Sequence, residues 1–446
     1  MRAEQCARAS LGTRTTPPAL ACRSLPLPAW HQRPHSNIGV PSRPLAGKQI
    51  VSLSVGEPDI LPAPEAMKAA HAALDAGHVK YTENAGLRAL RDAISEYLAT
   101  RGLQYAHNQI VCSNGGKQSL IQAMMAICGK GDEVIIPAPY WVSYTQVCTP
   151  TPHARGSTES RSDDSRCPRT SDALPQIAYL CGAESKVIQT RASDGYCLMP
   201  EDLEKAITPA TRVLILCNPS NPTGAVHPAA LLERLAAVLR KHPKIVIVSD
   251  EIYEQITYDE PHVPFATLPG MYDRTVTING FSKGPAMTGF RLGYVAAPLH
   301  VASACAKIQS QNTSCPCAIS QHAAIAAIRE VKPSYRNEAV AGYRKKRDYT
   351  ISRLRAMPHV EHVYMPEGAF YAFPTVSGCF GKKTPSGTII KDAEGVCLYL
   401  LDECLLALVP GEAFGDGQCL RISYAASMET ITDAMNKMEQ GLRALC

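Results

Sequence analysis

The sequence lacks any run of about 18 or more consecutive apolar residues, the length that an α-helix needs to cross a bilayer. It also lacks a Cys-x-x-Cys pair, although it contains 17 cysteines. Only Cys315 and Cys317 lie close together, and a single intervening residue is poor spacing for binding a metal ion. These absences argue against a membrane span and a metal site, and they favour buried, reduced thiols in a reducing compartment.

Most of the chain has no excess of basic over acidic residues. The formal net charge is +5, but residues 1–48 contribute +6, from six arginines and Lys48 against Glu4, which leaves −1 for the remainder. Nucleic-acid binding needs clustered Lys and Arg along one face. The near-neutral body therefore argues against a nucleic-acid partner.

The first 48 residues form a leader that contains no Asp and is rich in Arg, Ser, Thr and Pro. This composition is typical of an organellar transit peptide, so we expect a plastid location, with the mitochondrion as the second choice. The alternative is a disordered tail or a misassigned start codon, in which case the protein would be cytoplasmic.

Hydrophobic residues make up 45% of the chain and charged residues 19%, which is ordinary for a globular enzyme-sized protein. At 446 residues the chain exceeds the roughly 250–300 residues at which a single core stops growing, so we expect two domains. Apolar runs at 133–136, 213–216, 245–248 and 275–278 alternate with helical segments such as 231–240. Continuous apolar strands separated by helices predict an α/β fold with a mostly parallel sheet.

The predicted domain organisation follows a change in the order of apolar and charged segments along the chain. We expect a large domain at 81–330 and a smaller α+β domain at 331–446, completed by an N-terminal segment at 49–80. Residues 148–177 are rich in Ser, Thr, Pro and Arg without hydrophobic periodicity, which predicts a disordered insertion in the large domain. A gene-model error, such as unspliced sequence, is the alternative interpretation of that segment.

Polar motifs follow three of the predicted strands, and the carboxyl ends of parallel strands usually form the ligand site. Lys283 follows the strand at 275–278, and burial there would lower its pKa and free the amine to attack an aldehyde. Asp250 ends the strand before it, where a buried carboxylate needs a cationic partner. Tyr253 and Asn221 could donate hydrogen bonds in the same place. Taken singly, each has a structural alternative: a solvated lysine, a helix N-cap for Asp250, an Asx turn for Asn221.

Further candidates suit an anionic, aromatic ligand. Gly115 and Gly116 precede a helical pattern and would expose backbone N–H groups to a phosphate, and Arg291 offers a planar fork for the same group. Trp141 offers a flat face for a heteroaromatic ring, or is a core or interface residue. Arg421 lies in an apolar strand and requires an anion, which is either a substrate carboxylate or an internal ion pair.

The order and spacing of these motifs resemble one family of enzymes. The motifs are Val55-Gly56-Glu57-Pro58-Asp59, Tyr81-Thr82 with Asn84 and Gly86, Ser220 to Gly224, Ser249 to Tyr253, Gly280-Phe281-Ser282-Lys283, and Arg421. They resemble the class I/II aminotransferases, within them the bacterial-type aspartate aminotransferase branch that includes plastid aspartate and prephenate aminotransferases. The resemblance implies a fold type I transferase that depends on pyridoxal phosphate, and an obligate homodimer with shared active sites.

The resemblance implies a role for each matching residue. The catalytic residues would be Lys283, Asp250 and Tyr253. Of these, Lys283 would bind the cofactor covalently and move the substrate proton. The residues implied in cofactor binding are Lys283, Gly115, Gly116, Trp141, Asn221, Asp250, Tyr253, Ser282, Arg291 and, from the neighbouring subunit, Tyr81. Those implied in substrate binding are Gly56, Lys117, Trp141, Asn221 and Arg421, with Lys117 near the distal carboxylate of a dicarboxylic substrate. No metal ligand is implied.

The sequence departs from the family pattern in three places. The segment Gly56-Glu57-Pro58-Asp59-Ile60-Leu61-Pro62 is one residue short, and Gly284-Pro285 replaces the usual small-aromatic pair after the lysine. The arm that normally precedes the glycine motif is missing or replaced by the leader. We therefore keep three hypotheses: a transaminase for aspartate or glutamate with oxaloacetate, 2-oxoglutarate or prephenate; an aminotransferase for aromatic or neutral amino acids; and a catalytically impaired relative.

Overall fold

The computed structural model describes residues 49–145 and 181–446. The predicted leader at 1–48 lies outside the described residues, and so does the predicted insertion at 148–177. The helices span Pro64–Asp75 (α1), Arg88–Thr100 (α2), Gly116–Ile127 (α3), Val142–Thr145 (α4), Pro200–Ala206 (α5), Ala229–Arg240 (α6), Leu299–Asn312 (α7), Ala318–Arg329 (α8), Pro333–Arg355 (α9), Ala393–Cys404 (α10) and Met428–Arg443 (α11).

Twelve strands lie in the described ranges and form three sheets. They span Val51–Ser52 (β1), Ile110–Ser113 (β2), Glu133–Ala138 (β3), Glu184–Gln189 (β4), Thr211–Cys217 (β5), Val246–Asp250 (β6), Thr275–Gly280 (β7), Gly293–Ala296 (β8), Tyr371–Ala372 (β9), Leu406–Ala407 (β10), Val409–Pro410 (β11) and Leu420–Ser423 (β12).

The largest sheet has seven strands in the order β2-β8-β7-β6-β5-β3-β4. Every pair from β7 to β4 is parallel, and β8 alone runs antiparallel to both of its neighbours. This arrangement confirms the predicted α/β class with a mostly parallel sheet. The order places β5, β6 and β7 side by side, so their carboxyl ends open at one edge.

Helices cover both faces of this sheet, because successive residues of a strand point to opposite faces. Val213 and Ile215 of β5 pack in the cluster that contains Leu120 of α3, whereas Leu214 and Leu216 pack with Leu232 of α6. Both sets are buried. A strand buried on both faces reads as an unbroken apolar run, which explains why these strands are recognisable in the sequence.

The C-terminal part of the chain builds a separate core. Strands β9, β11 and β12 form a three-stranded antiparallel sheet, and β1 pairs with β10 in parallel. Side chains from α9, α10 and α11 pack in one cluster with Leu53 and Tyr371. The boundaries predicted at 80 and 330 stay a prediction.

Local signals set several helix ends. The side chain of Asp392 accepts a hydrogen bond from Gly395 N at 2.8 Å, and that of Ser427 accepts one from Thr430 N at 3.1 Å, which caps α10 and α11. α9 begins at Pro333. Proline is favoured at the first helical position because its missing N–H is not needed there. None of the helices in the described ranges is long and apolar enough to cross a membrane.

Candidate active site

The three polar segments predicted to converge do lie at one edge of the seven-stranded sheet. Asn218 N donates to Asp250 O at 3.0 Å, and Glu251 N donates to Ile278 O at 2.8 Å, so the ends of β5, β6 and β7 are held in register. Lys283 lies three residues beyond the end of β7. Backbone hydrogen bonds between neighbouring strands thus bring together side chains that are distant in sequence.

Lys283 is partly buried, and its Nζ donates a hydrogen bond to the carbonyl oxygen of Gly56. Nζ also lies 5.7 Å from the ring centres of Tyr253 and Phe370. Burial, helped by the charge of Arg421 and opposed by that of Glu57, lowers the pKa of Lys283 to about 8. A solvated surface lysine, the alternative kept from the sequence, is therefore excluded.

Asp250 ends β6 and is only 5% exposed. Its Oδ2 accepts a hydrogen bond from Tyr144 Oη at 2.5 Å, and its Oδ1 accepts one from Ile252 N at 3.2 Å. Burial raises the pKa of Asp250, while these hydrogen bonds oppose that rise. No helix follows Asp250, so the N-cap alternative is wrong. The buried carboxylate has no ion-pair partner among the described residues, and a cationic ring nitrogen would supply one.

Two tyrosines meet beside the lysine. The hydroxyl groups of Tyr253 and Tyr371 lie 2.6 Å apart, and both side chains are buried. Burial raises the pKa of both phenols, so both stay protonated at neutral pH. A Cβ atom at Gly56 would overlap the hydroxyl group of Tyr371. Gly56 therefore permits the close approach of the segment after β1 to this pair.

Arg421 of β12 is 6% exposed and points at the same site. Its Nη1 donates to Asn221 Oδ1 at 3.1 Å and its Nη2 donates to Ser54 O at 2.7 Å, but its Nε has no hydrogen-bond partner among the described residues. The guanidinium lies 4.8 Å from the ring centre of Tyr371. It forms no ion pair with any described residue, so the internal ion pair considered from the sequence is not found there. A buried arginine with a spare donor suits an anionic ligand.

The glycine pair shapes a cradle at the start of α3. Gly115 has φ +99°, a conformation that side-chain-bearing residues rarely adopt, and α3 begins at Gly116. A Cβ atom at Gly115 would lie 2.5 Å from Nη2 of Arg291, so the guanidinium lies directly against this turn. A Cβ atom at Gly293 would collide with the backbone N of Gly116. Backbone N–H groups at a helix start, beside an arginine, suit an anionic group, and buried Ser282 lies in the neighbouring lysine loop.

Trp141 and Lys117 lie together at this site. Nζ of Lys117 is 4.9 Å from the centre of the Trp141 ring, and the ring of Tyr144 packs edge-on against Trp141 at 5.5 Å. The pKa of Lys117 is lowered by partial burial and by the charge of Arg291. The cation is thus within reach of both the aromatic face and the anion cradle.

Within the described ranges, Tyr81 makes no contact with the other predicted site residues. Its side chain is 91% exposed. The role implied by the family resemblance places it in a neighbouring subunit's site, so this prediction concerns an assembly and stays a prediction.

Two residues of the site were not selected from the sequence. They are Tyr144, which lies three residues after Trp141, and Tyr371 of β9. The usable signal for Tyr144 was its position three residues after Trp141. Nothing local marks Tyr371, because its partners come from other parts of the chain.

Comparison with known proteins gives a consistent result. The family described as "Aminotransferase class I and II" matches residues 48–152 and 167–438. The bifunctional aspartate aminotransferase and glutamate/aspartate-prephenate aminotransferase of Petunia hybrida is 44% identical over 402 residues, covering 89% of this chain and 77% of the relative.

Solved structures agree with the sequence relatives. The aspartate aminotransferase of Rhizobium meliloti superposes with a TM-score of 0.80 at 38% identity, over 90% of this chain and 93% of that one. The aromatic aminotransferase of Pyrococcus horikoshii gives a TM-score of 0.77 at 33% identity, over 90% and 96%.

Proposed function

Since this chain belongs to the class I and II aminotransferase family, we propose that it moves amino groups between aspartate or glutamate and 2-oxo acids, with pyridoxal phosphate held on Lys283. The observation that carries the proposal is that one site contains both a buried Arg421, which forms no ion pair with any described residue, and a lysine whose pKa is lowered to about 8. Members of the family generally use pyridoxal phosphate.

The residues of the site fit that cofactor. Asp250 is a buried carboxylate that would hold a protonated ring nitrogen, while Tyr253 and Asn221 would bond the ring hydroxyl group and Trp141 would cover the ring face. Gly115, Gly116, Ser282 and Arg291 would bind the phosphate. When bound, the cofactor supplies an electron sink that weakens the Cα–H bond of the substrate.

Lys283 can move the proton at that carbon. Burial and the neighbouring charge of Arg421 keep a substantial fraction of Nζ neutral near pH 7 to 8, so the amine can accept a proton and return it. Nζ lies against the carbonyl oxygen of Gly56, which orients it within the site. The buried rings of Tyr253 and Phe370 exclude water from one side of the amine.

The substrate would be held at both ends. Arg421 would bind the α-carboxylate through its unpartnered donor, and the backbone at Gly56 would lie beside it. Lys117, next to Trp141, would pair with a second carboxylate and so favour dicarboxylic substrates. Replacing Lys117 with Ala should lower kcat/KM for aspartate at least about tenfold relative to alanine, since one charge-assisted contact is lost.

A second candidate is an aminotransferase for aromatic amino acids, which the similarity to the Pyrococcus horikoshii enzyme favours. Prephenate, named for the Petunia relative, is an acceptor that combines two carboxylates with a six-membered carbon ring. Relative rates with aspartate, glutamate, alanine and phenylalanine as donors, and oxaloacetate, 2-oxoglutarate and prephenate as acceptors, separate these candidates.

The decisive test is spectroscopic and kinetic. The purified protein should turn yellow with pyridoxal phosphate and bleach with aspartate, whereas Lys283→Ala should lose about 10²–10⁴-fold in kcat, the range for removing a general acid–base group. Lys345→Ala, an exposed lysine of α9, is the matched control and should behave as the unaltered protein. A protein that stays colourless, or a Lys283→Ala variant with full turnover, would end the proposal.

We also propose the homodimer with shared sites and the division into a large domain at 81–330 and a small domain at 49–80 with 331–446. Mixing Lys283→Ala with Tyr81→Phe subunits should restore activity if Tyr81 acts in the partner's site, because hybrid dimers would contain one intact site.

Residues 1–48 fused to a fluorescent protein should enter plastids, and diffuse cytoplasmic fluorescence would contradict that location.

A further inference from the structure

Two cysteines, Cys128 and Cys181, lie beside each other where β3 and β4 begin. Cys128 directly follows α3, and Cys181 comes three residues before β4. Both are half-buried, and both pack against the same core cluster, which includes Ile127. We propose that Cys128 and Cys181 form a reversible disulfide bond by exchange with an external disulfide, such as glutathione disulfide.

The backbone keeps the two cysteine segments together. Glu184 N donates to Asp132 O at 2.8 Å, where the parallel pairing of β3 with β4 begins. Closer to the cysteines, a Cβ atom on Gly182 would lie 3.6 Å from Lys130 N, which is ordinary van der Waals contact. The residues that flank the cysteine pair are thus packed together, so the fold itself places the two thiols next to each other.

The two thiols interact directly. A hydrogen bond from Cys128 lowers the pKa of the Cys181 thiol, although burial opposes that change. By contrast, burial raises the pKa of the Cys305 thiol to about 12. The thiolate is the reactive form of a cysteine, so Cys181 is the thiol that attacks first. Because the two sulfur atoms are already in contact, they can bond with little movement of the backbone.

The exchange proceeds in two balanced steps. The Cys181 thiolate attacks one sulfur atom of glutathione disulfide, which forms a mixed disulfide and releases one glutathione thiolate. The Cys128 thiolate then attacks Cys181 Sγ, which forms the protein disulfide and releases the second glutathione. Two protein thiols are oxidised, one external disulfide is reduced, and the two thiol protons pass to the released glutathione molecules.

The disulfide joins the far end of α3 to the edge strand β4. The first turn of α3 carries Lys117, and the chain between the two cysteines includes Trp141 and Tyr144. A covalent link that closes such a long loop restricts the unfolded chain and thereby stabilises the fold. Oxidation therefore stabilises the part of the sheet that leads to these site residues without altering any of them.

Mass spectrometry of the full-length protein tests the proposal. Protein equilibrated with a mixture of glutathione and glutathione disulfide is alkylated while denatured and then digested with trypsin without reduction. Cys128 is the only cysteine in the tryptic peptide 118–130, and Cys181 is the only one in 170–186, so a single linked peptide reports the disulfide. We expect the linked peptide to exceed the mixed disulfide at Cys181 at least about tenfold, because Cys128 attacks at a high effective concentration. Separate alkylated peptides, or Cys181 joined to a different cysteine, would overturn the proposal.

Two variants and a stability measurement complete the test. In Cys128→Ser, the reaction should stop at the mixed disulfide of Cys181 with glutathione. Cys317→Ser, at an exposed cysteine, is the matched control and should form the linked peptide as the unaltered protein does. The oxidised protein should unfold at a higher urea concentration than the reduced protein, and Cys128→Ser should lose that difference. Equal urea midpoints for the oxidised and reduced forms of the unaltered protein would contradict a disulfide that fits the native backbone.

Discussion

Tyr144 donates a hydrogen bond to Asp250 across 2.5 Å, and both side chains are buried. The residues are 106 positions apart in sequence. This bond opposes the rise in the pKa of Asp250 that burial causes, because hydrogen bonding to the charged form of a carboxyl group lowers its pKa. Tyr144 therefore sets how well Asp250 can pair with a ring nitrogen.

Replacing Tyr144 with Phe should raise the pKa of Asp250 further and weaken cofactor binding about tenfold, the value of one charge-assisted hydrogen bond. The measurement is an absorbance titration of cofactor-free protein with pyridoxal phosphate. Tyr140→Phe, in the same segment, serves as the control and should leave the dissociation constant unchanged. Identical constants for the two variants would remove Tyr144 from the cofactor site.

The reactivity of Lys283 should follow its lowered pKa. At pH 7, a lysine with a pKa of about 8 is about one-tenth neutral, compared with roughly one part in three thousand at the usual value near 10.5. Labelling of cofactor-free protein with an amine reagent, followed by mass spectrometry, should therefore rise with pH through a midpoint near 8. Arg421→Gln should move that midpoint upward, because the charge of Arg421 lowers the pKa. A midpoint near 10 in the unaltered protein would contradict the role of burial.

Glu251 should make the protein less stable as the pH rises. Burial raises its pKa to about 8, from 4.5, although Ser249 Oγ and Phe265 N donate hydrogen bonds to Oε1. The folded state thus holds a proton that the unfolded state releases, so the free energy of unfolding falls as the pH rises from about 4.5 to about 8. Glu251→Gln should be more stable than the unaltered protein by roughly 2–4 kcal/mol at pH 8, with little difference near pH 4.

Urea unfolding at the two pH values measures this difference. Glu439→Gln, whose carboxylate is paired with arginines at the surface, provides a control that should not gain stability at pH 8. If Glu251→Gln is no more stable than the unaltered protein at pH 8, ionising the buried carboxyl group does not lower the free energy of unfolding, and the prediction is wrong.

Arg421→Lys should separate binding from chemistry. Lysine keeps the positive charge but cannot contact Asn221, Ser54 and a substrate carboxylate at once. We expect KM for aspartate to rise about 10- to 100-fold, with a smaller change in kcat. Arg443→Lys, on the surface of α11, is the control for replacing an arginine with a lysine, and it should leave KM and kcat unchanged. A fall in kcat with unchanged KM would assign Arg421 to the chemical step.

The sequence predicts the central part of this fold well, for a physical reason. Strands β5, β6 and β7 are buried on both faces and therefore appear as apolar runs followed at once by polar site residues. Strand β4 at the sheet edge has only exposed and half-buried side chains, and β2 and β8 are only four residues long, so the sequence analysis recognised none of them.

The site residues found from sequence are those whose local setting is unusual, such as a lysine after a buried strand or an arginine within one. Tyr371 was missed because its partner Tyr253 is 118 positions away, and only the folded chain brings the two hydroxyl groups together.

Gly293 has no side chain, and a single methyl group there would strike the first residue of α3. The distance between β8 and the start of that helix is consequently the smallest that two backbones permit. Random mutagenesis should therefore return almost no functional substitution at position 293, because any side chain there would push the start of α3 away from β8.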